Sequence, residues 1–374
     1  MKRLLQCRTR ADMRQLVKVC MALLFLFIIF NIYKRWSKSH DGRHIVLWYN
    51  PPFYVTSRTD AFVRNFDECP QANCRLTFDQ SEAESSKAII FDGRQMTKDC
   101  KSFSRPQDQM WVFWGNEPPT KYNEAGDEWM DFAKEFNLTM TYHRESDVYM
   151  PYGEIVPTMP IPQKDFLSIA QKKNHSVVWI ASSCHTSSWR EMYVKELRKY
   201  VDVDIFGRCS DAMTPWNCGN RWKHDDCFSV LNDYKFYLAF ENSLCEDYIT
   251  EKFFENYNYD IIIVTRGGTK SNFKDILPDG VYIDAMDFQN PKELGGHLKQ
   301  FLNDDKKYAN LLERKSAYTS LPYHIVYQKS LCNLCDRIMY PEVYNVARYD
   351  NLRDTLHEIN FCKHPSDLER KHQR

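Results

Sequence analysis

Short apolar segments, typical of buried strands, alternate with amphipathic helices along most of the chain. In the first half these segments are HIVLWY from His44, AIIF at Ala88–Phe91 and MWVFW at Met110–Trp114. VVWIAS at Val177–Ser182 opens a second series, which continues with FYLAFE, DIIIV and GVYID. Such strands, separated by helices, favour mostly parallel sheets with helices on both faces. The sequence therefore predicts an α/β fold, and its 374 residues are enough for about two domains of ordinary size.

The N-terminal segment Leu16–Tyr33 is apolar except for Lys18 and Asn31 near its ends. It has about the length needed to cross a bilayer core of roughly 30 Å as a helix. The residues before it carry more basic than acidic side chains, which favours a cytoplasmic N-terminus. No small-x-small cleavage site follows Phe30, so an uncleaved anchor is favoured over the alternative, a cleaved signal peptide.

These features divide the chain into consecutive parts. They are a cytoplasmic tail (1–15), a transmembrane signal-anchor (16–33), a short stem (34–43), an N-terminal α/β domain (44–163), a C-terminal α/β domain (164–340) and a charged C-terminal tail (341–374). The boundary between the two α/β domains follows the proline-rich segment Ile155–Gln163, after which the strand pattern restarts. Two Rossmann-like domains facing a cleft are the simplest architecture for this pattern.

Charge and composition narrow the classes of partner. Acidic and basic residues balance at 50 each, so nucleic acid is not the expected partner. Aromatic residues make up 14% of the chain, which fits core packing and stacking on sugar rings equally well. Thirteen cysteines favour an oxidising compartment if the chain enters the secretory route. In that compartment the sequons at Asn137 and Asn174 are predicted glycosylation sites.

The segment from Tyr234 to Val264 carries the most specific local pattern. A buried strand, Phe236–Phe240, leads into a polar loop, and a helix is predicted to begin near Thr250. In open α/β sheets ligands bind at this edge, where the start of a helix offers backbone N–H groups to phosphate. Lys252 lies in the predicted first turn, where its charge opposes the helix dipole unless an anion is bound. A solvated lysine beside an ordinary Thr250 cap is the alternative, and the residue types alone leave both open.

The elements YKFYLAFENS and DYITEK within this segment resemble the signature of the α1,3-fucosyltransferases. Further segments are similar to that family in the same order. They are DECPQANCRLTFD (Asp67–Asp79), FNLTMTYHRESDVYMPYG (Phe136–Gly153), VDVDIFGR (Val201–Arg208), SNFKDILPDGVYIDAMDFQNPKEL (Ser271–Leu294) and CNLC (Cys332–Cys335). The resemblance implies an invertebrate-like member of a GDP-fucose-dependent, inverting family. In that family two Rossmann-like domains face a cleft, the GT-B arrangement, with the acceptor side in the first domain and GDP-fucose bound by the second.

The resemblance also implies a sugar-donor site in the second domain. By matching position, GDP-fucose would contact Asn242, Tyr248, Glu251 and Lys252, and Arg190 would hold the diphosphate. From the residues alone, a surface arginine on an amphipathic helix is the preferred interpretation of Arg190. Its position just after a strand and a loop nevertheless makes a phosphate contact geometrically reasonable.

Transfer to a sugar hydroxyl calls for a general base beside the sugar acceptor, usually a carboxylate. Glu117 ends the segment MWVFWGNEPP, and its position resembles that of the family's base. The chain departs from the family at Pro118, where a serine is usual, and at Ile263, where a proline is usual. These departures leave two alternatives open: an exposed loop glutamate at this position, and a catalytically silent sugar-binding protein.

The implied reaction is a direct displacement that moves fucose, with inversion, to the 3-hydroxyl of a GlcNAc in a glycoprotein or glycolipid glycan. Arg190, Lys252 and the start of the helix would stabilise the departing diphosphate, so no metal is expected to be required. Asp202 and Asp204 lie within a predicted strand, which disfavours a metal-dependent transferase. Manganese is expected as a stimulant at most. The choice between the innermost GlcNAc of an N-glycan and a terminal, Lewis-type GlcNAc stays open.

Together with the anchor, the resemblance implies a single-pass type II protein of the Golgi membrane with a lumenal catalytic domain. The expected partners are GDP-fucose, a GlcNAc-containing glycan and the membrane itself. The oligomeric state stays open, with a homodimer as one alternative.

The resemblance further implies two short-range disulfides, Cys69–Cys74 and Cys332–Cys335. A second group of cysteines lies around the polar loop between Phe240 and Thr250, which we call the donor loop, and allows three connectivities. Its members are Cys209, Cys218, Cys227 and Cys245. The number of cysteines beyond the anchor is odd, so at least one thiol is expected to be unpaired or in an intermolecular bond. The candidates are Cys100, Cys184 and Cys362.

Overall fold

The computed structural model divides the chain into two compact units, Met1–His44 and Ile45–Arg374. The residues it describes are 20–27, 42–53, 55, 66–71, 73–96, 100, 102–122, 132–210, 228–268, 273–359 and 362–371. In the first unit, residues 20–27 form a helix with exposed side chains. Nowhere in the described ranges is a helix long and apolar enough to span a bilayer. The remainder of the predicted 16–33 anchor, the predicted tail 1–15 and most of the predicted stem lie outside those ranges.

The second unit begins with a parallel sheet in what we call the N-terminal lobe, residues 45–153. Its strands in chain order are β1 (His44–Trp48), β2 (Cys74–Thr77), β3 (Ala88–Asp92), β4 (Met110–Gly115), β5 (Leu138–Thr141) and β6 (Val148–Tyr149). The spatial order is β2-β1-β3-β4-β5-β6, and the pairs from β1 to β6 are parallel. Strands β3 and β4 are buried along their whole length because both faces of the sheet are covered, which explains their uninterrupted apolar sequences.

A second parallel sheet forms the C-terminal lobe, residues 164–316. After the crossing strand β7 (Glu154–Pro157), the strands are β8 (His175–Ile180), β9 (Val203–Phe206), β10 (Tyr234–Phe240), β11 (Leu244–Cys245), β12 (Ile262–Arg266) and β13 (Ile283–Asp284). The sheet order is β13-β12-β10-β8-β9, all parallel, with β11 outside it. The predicted α/β class with parallel sheets is confirmed. In this order the topological switch point lies between β8 and β10, where ligands of such sheets bind.

Helices cover the sheets and return the chain to the first lobe. In chain order they are α1 (Pro119–Tyr122), α2 (Phe166–Lys172), α3 (Arg190–Leu197), α4 (Glu251–Phe254), α5 (Pro291–Leu302), α6 (Asp305–Ser316), α7 (Tyr323–Met339) and α8 (Leu352–Ile359). Helix α5 is capped by Asn290, whose side chain accepts hydrogen bonds from the amides of Lys292 and Glu293, and the helix buries Leu294 and Leu298. Strand β14 (Tyr318–Leu321) pairs antiparallel with β7, so the two connections between the lobes run side by side.

The predicted C-terminal domain, residues 164–340, includes helix α7, but this helix packs on the N-terminal sheet. Helix α7 packs on one face of the N-terminal sheet through Tyr327, Leu331 and Leu334, and α8 packs on the other face through Leu352 and Leu356. The segment 341–374, predicted to be a peripheral charged tail, therefore contributes to the core. Leu352 and Leu356 of α8 are spaced i, i+4 on one helical face, and the charged residues around them hid this short apolar stripe.

The predicted disulfides Cys69–Cys74 and Cys332–Cys335 are wrong. The bonds are Cys69–Cys332 and Cys74–Cys335, which join the loop before β2 and the first residue of β2 to helix α7. The physical reason is that Cys332 and Cys335 are three residues apart on a helix, so both face the same neighbouring segment instead of each other.

The remaining described cysteines also differ from expectation. Cys184 pairs with Cys209 and Cys245 pairs with Cys362, so Cys184 and Cys362 are not the unpaired thiols. Cys100, the third candidate, is buried in the core of the N-terminal lobe. The predicted alternatives for Cys218 and Cys227 lie outside the described residues.

Trypsin distinguishes the two pairings directly. Cleavage at Arg64, Arg75, Lys329 and Arg337 places Cys69 and Cys74 on one peptide and Cys332 and Cys335 on another. We expect a non-reduced digest to contain these two peptides joined as a single species, resolved into two masses on reduction. Two separate peptides in the non-reduced digest, each with an internal disulfide, would contradict the observed pairing.

Candidate active site

Arg190 bridges the two strands at the switch point of the C-terminal sheet. Its guanidinium donates to the carbonyl oxygens of Phe240, 2.7 Å away, and Ser183, 3.1 Å away, which lie at the ends of β10 and β8. The side chain is buried, and within the described part of the chain its buried Nε has no hydrogen-bond acceptor. Burial lowers the pKa of Arg190, whereas the nearby Glu241 raises it. The interpretation of Arg190 as a surface residue is therefore wrong.

Glu241 is a buried carboxylate at the end of β10 that the sequence analysis did not select. It accepts hydrogen bonds from the amide and hydroxyl of Thr250, each 2.9 Å away, and from Lys252 Nζ at 3.0 Å. Gly267 makes room for it, because a Cβ at that position would lie 2.8 Å from the Glu241 side chain. A glutamate that directly follows the apolar run Phe236–Phe240 was the available signal. Burial raises the pKa of Glu241, and Lys252 opposes that shift.

Lys252 is held between acidic groups. Besides Glu241, its Nζ contacts Thr250 Oγ1 at 2.7 Å and Glu251 Oε1 at 3.2 Å. Burial by itself lowers the pKa of Lys252, but Glu241 and Glu251 outweigh burial and the net shift is upward. The lysine is therefore a fixed cation, and not the freely solvated side chain of the alternative interpretation. Helix α4 does begin after Thr250 as predicted, but it has only one turn, so its dipole adds little.

The donor loop continues through Asn242 and Tyr248. The Asn242 carbonyl accepts the amide of Ser188 at 3.0 Å, while its side-chain Oδ1 is buried without a protein donor. Tyr248 is buried, and its hydroxyl donates to Glu117 Oε2 across the cleft at 3.2 Å. Burial raises the pKa of Tyr248, and the Glu117 carboxylate adds to the shift. Tyr248 thus remains a neutral hydrogen-bond donor to Glu117.

Glu117 lies just beyond β4, at the edge of the N-terminal sheet that faces the other lobe. Its backbone carbonyl accepts the Tyr122 hydroxyl at 2.6 Å, and its carboxylate lies 3.5 Å from Arg94 Nη1. About a third of the side chain, 29%, remains exposed. The carboxylate is therefore fixed by groups from both lobes and still open to a sugar hydroxyl.

Asp247 joins the donor loop to the N-terminal lobe. It accepts the backbone amide of Arg144 at 2.9 Å and Arg144 Nε at 3.0 Å, and His143 Nε2 lies 3.4 Å away. Its φ of +55° is in the left-handed region, which aspartate tolerates better than most residues. The Tyr142 ring packs against the ring of Tyr248, with centroids 5.0 Å apart. The contact places Tyr248 opposite Glu117.

The other predicted residues are distributed as follows. Asp204 lies in the edge strand β9, as its predicted position within a strand requires, and accepts the Tyr234 hydroxyl at 2.7 Å. Ile263 lies inside β12, paired in register with Tyr237 of β10, so the strand stays regular without the proline. Asn174 is exposed, whereas Asn137 is half-buried and its side-chain oxygen accepts hydrogen bonds from Arg105 and Trp111. In the described part of the chain, no group of three His, Cys, Asp or Glu side chains is arranged to hold a metal ion.

One lobe thus presents a carboxylate, and the other presents fixed cations at the switch point of its sheet. Residues 40–153 match the family model described as "Fucosyltransferase, N-terminal", and residues 170–355 match "Glycosyltransferase family 10 (fucosyltransferase) C-term". The chain belongs to glycosyltransferase family 10, the fucosyltransferases.

Curated relatives agree with this assignment. The chain is 30% identical to the 3-galactosyl-N-acetylglucosaminide 4-alpha-L-fucosyltransferase FUT3 of Bos taurus, over 83% of this chain and 81% of the relative. It is 31% identical to the glycoprotein 3-alpha-L-fucosyltransferase A of Drosophila melanogaster, over 74% of this chain and 54% of the relative. A solved α1,3-fucosyltransferase with GDP-fucose has the same fold, with a TM-score of 0.52 at 17% identity, over 83% of this chain and 93% of that one.

The contact between Asp247 and Arg144 should be measurable as an energetic coupling. Asp247→Asn keeps the size and the tolerance of positive φ but removes the charge, and Arg144→Gln removes its partner. Because the aspartate is buried and the arginine partly exposed, we expect a coupling of about 1 kcal/mol in a double-mutant cycle followed by urea unfolding. The exposed pair Lys164–Asp260 is the matched control, with an expected coupling within about 0.5 kcal/mol of zero. Additive effects of the two cleft substitutions would argue against this contact.

Proposed function

We propose that this protein is an α1,3-fucosyltransferase that transfers fucose from GDP-fucose, with inversion, to the 3-hydroxyl of a GlcNAc in a glycoprotein or glycolipid glycan. The observation that carries the proposal is the position of the Glu117 carboxylate, 3.2 Å from the Tyr248 hydroxyl and directly across the cleft from the donor loop. Membership of the fucosyltransferase family and relatives named as α1,3- and α1,4-fucosyltransferases support the same donor and reaction.

The donor would bind at the carboxyl ends of β8 and β10. Arg190 and Lys252 supply two cations there, and the buried Arg190 Nε and Asn242 Oδ1 have no hydrogen-bond partner among the described residues. Glu241 and Glu251 hold the Lys252 side chain in place, so a diphosphate would meet a cation that is already positioned. Asn242, Tyr248 and Glu251 complete the proposed donor contacts.

The reaction would be a single displacement. Glu117 accepts the proton of the GlcNAc 3-hydroxyl while that oxygen forms a bond to C1 of fucose and the bond from C1 to the GDP oxygen breaks. Attack opposite the leaving group converts the β-linked donor into an α-linked product. The negative charge that develops on GDP is stabilised by Arg190 and Lys252. We propose that these cations suffice without a bound metal and that Mn²⁺ acts as a stimulant at most.

For localisation we propose the Golgi membrane, with the described body of the protein in the lumen. Four disulfides are consistent with an oxidising compartment, and the exposed Asn174 is the better placed of the two sequons. A glycosidase-sensitive mass at Asn174 in protein purified from membranes would support this topology. An unmodified asparagine in protein from the soluble fraction would contradict it.

The donor assignment is tested by transfer from a panel of nucleotide sugars to GlcNAc-terminated and N-glycan acceptors. We expect transfer from GDP-fucose and none above background from GDP-mannose or UDP-GlcNAc, with the product α-linked at position 3 by NMR. Chelator should leave most of the rate. Binding of glycan without transfer from any donor would favour a silent sugar-binding protein, and full loss of activity with chelator would favour a metal-dependent enzyme.

Glu117→Gln tests the proposed base. The variant keeps size and hydrogen-bonding reach but cannot accept the proton, so turnover should fall by about 10²–10⁴-fold while GDP affinity stays near that of the unmodified protein. Glu342→Gln, on an exposed residue far from the cleft in sequence, is the matched control and should leave turnover unchanged. Near-full turnover of Glu117→Gln would place the base elsewhere, and loss of GDP affinity would indicate a structural role.

A further inference from the structure

The residues after α8 return to the edge of the C-terminal lobe where the donor loop lies. We call residues 362–371 the C-terminal strap. Its strand β15 (Cys362–Lys363) pairs antiparallel with β11, and the Cys245–Cys362 disulfide fixes this pairing covalently. Strand β11 is part of the donor loop, three residues before Tyr248. The strap is therefore anchored on the segment that carries the proposed donor contacts.

A buried ion pair forms the second attachment. Arg266, the last residue of β12, is fully buried, and its Nε and Nη2 donate to the two carboxylate oxygens of Asp367 in the strap, each 2.8 Å away. The remaining nitrogen, Nη1, donates to the carbonyl of Ser188 at 2.8 Å, and the guanidinium lies over the ring of Tyr193. Removal of one partner of such a pair leaves a buried charge uncompensated. The conformation at Arg266 therefore depends on Asp367.

Ser188 passes this constraint to the donor site. Its amide donates to the carbonyl of Asn242 at 3.0 Å, and its hydroxyl donates to the carbonyl of Glu241 at 2.6 Å. Ser188 thus contacts the donor loop on one side and Arg266 on the other. It also lies two residues before Arg190, the proposed diphosphate ligand.

Trp189 provides a third attachment. Its φ of +52° is in the left-handed region, which is unfavourable for a bulky side chain and persists only when the surroundings enforce it. The indole is partly exposed, and its ring packs edge to face against His364 of the strap, with centroids 4.5 Å apart. The strap thus contacts the residue that sets the direction in which the chain enters α3 and Arg190.

We propose that the C-terminal strap is a positioning element of the sugar-donor site. Through Asp367 and Arg266 it holds Ser188, and through His364 it supports Trp189, so Arg190 and Asn242 are held in place before the donor arrives. This inference rests on the proposed function, because it names the site as the one that binds GDP. Asp367 and His364 contact residues of the C-terminal lobe. We therefore expect the strap to affect the affinity for the sugar donor and not the affinity for the sugar acceptor.

The test is calorimetry with GDP, together with Michaelis constants for GDP-fucose and for the sugar acceptor. Asp367→Asn keeps the shape but removes the charge, and His364→Ala removes the exposed ring contact at little risk to folding. For both we expect the GDP dissociation constant and the donor KM to rise, by on the order of tenfold for Asp367→Asn, with the acceptor KM unchanged. Asp367→Glu should recover part of the affinity. Asp350→Asn, on an exposed residue ahead of α8, is the matched control and should behave like the unmodified protein.

The outcomes separate the two proposals. Failure of the unmodified protein to bind GDP would count against the proposed function. GDP binding by the unmodified protein together with unchanged affinity in Asp367→Asn and His364→Ala would overturn the strap proposal, even if stability fell, because the strap would then be purely structural. Should Asp367→Asn not fold, His364→Ala decides: a weaker GDP affinity supports the strap, and an unchanged affinity refutes it.

Discussion

The buried Glu241 is the constraint on which the proposed donor site depends. A carboxylate at the end of an apolar strand has no water to solvate it, so it must gather hydrogen-bond donors from its surroundings. It does so from Thr250 and Lys252, while its own backbone carbonyl accepts from Ser188. One buried acid thereby sets the start of α4, the position of a cation and the course of the loop before Arg190. The arrangement requires a glycine at position 267, because a Cβ there would lie too close to the Glu241 side chain.

The two lobes are connected at several independent places, and this determines the geometry across the cleft. Strands β7 and β14 pair where the chain crosses, Asp247 reaches from the donor loop to Arg144, and the Tyr248 hydroxyl donates to Glu117. A proton acceptor and a leaving group must be aligned to within fractions of an ångström for efficient displacement. Multiple connections between the lobes provide that alignment before any substrate binds.

Glu117, Arg190, Tyr248 and Lys252 were predicted because their positions match those of the family that the sequence resembles. All four lie in, or just after, loops at the carboxyl ends of parallel strands, which form the binding edge of such sheets. The residues that the sequence analysis missed are Glu241, Asp247, Arg266 and Asp367. Asp247, Arg266 and Asp367 act through partners distant in the chain, such as the 101 residues that separate Arg266 from Asp367, and no local pattern records such partners. Glu241 has partners nearby in Thr250 and Lys252, and its position after an apolar run was a local signal.

The sequence by itself determined the α/β class, the burial of β3, β4, β10 and β12 on both faces, and the positions at which polar residues leave the strands. These properties follow from apolar runs and turn residues that act over a few neighbours. Only the tertiary structure decided that α7 and α8 pack on the N-terminal lobe, that Cys332 and Cys335 bond to Cys69 and Cys74, and that the charged C-terminus returns to the donor loop. The physical reason is that long-range pairing depends on which surfaces meet once all the elements are packed, and residue spacing along the chain does not encode that choice.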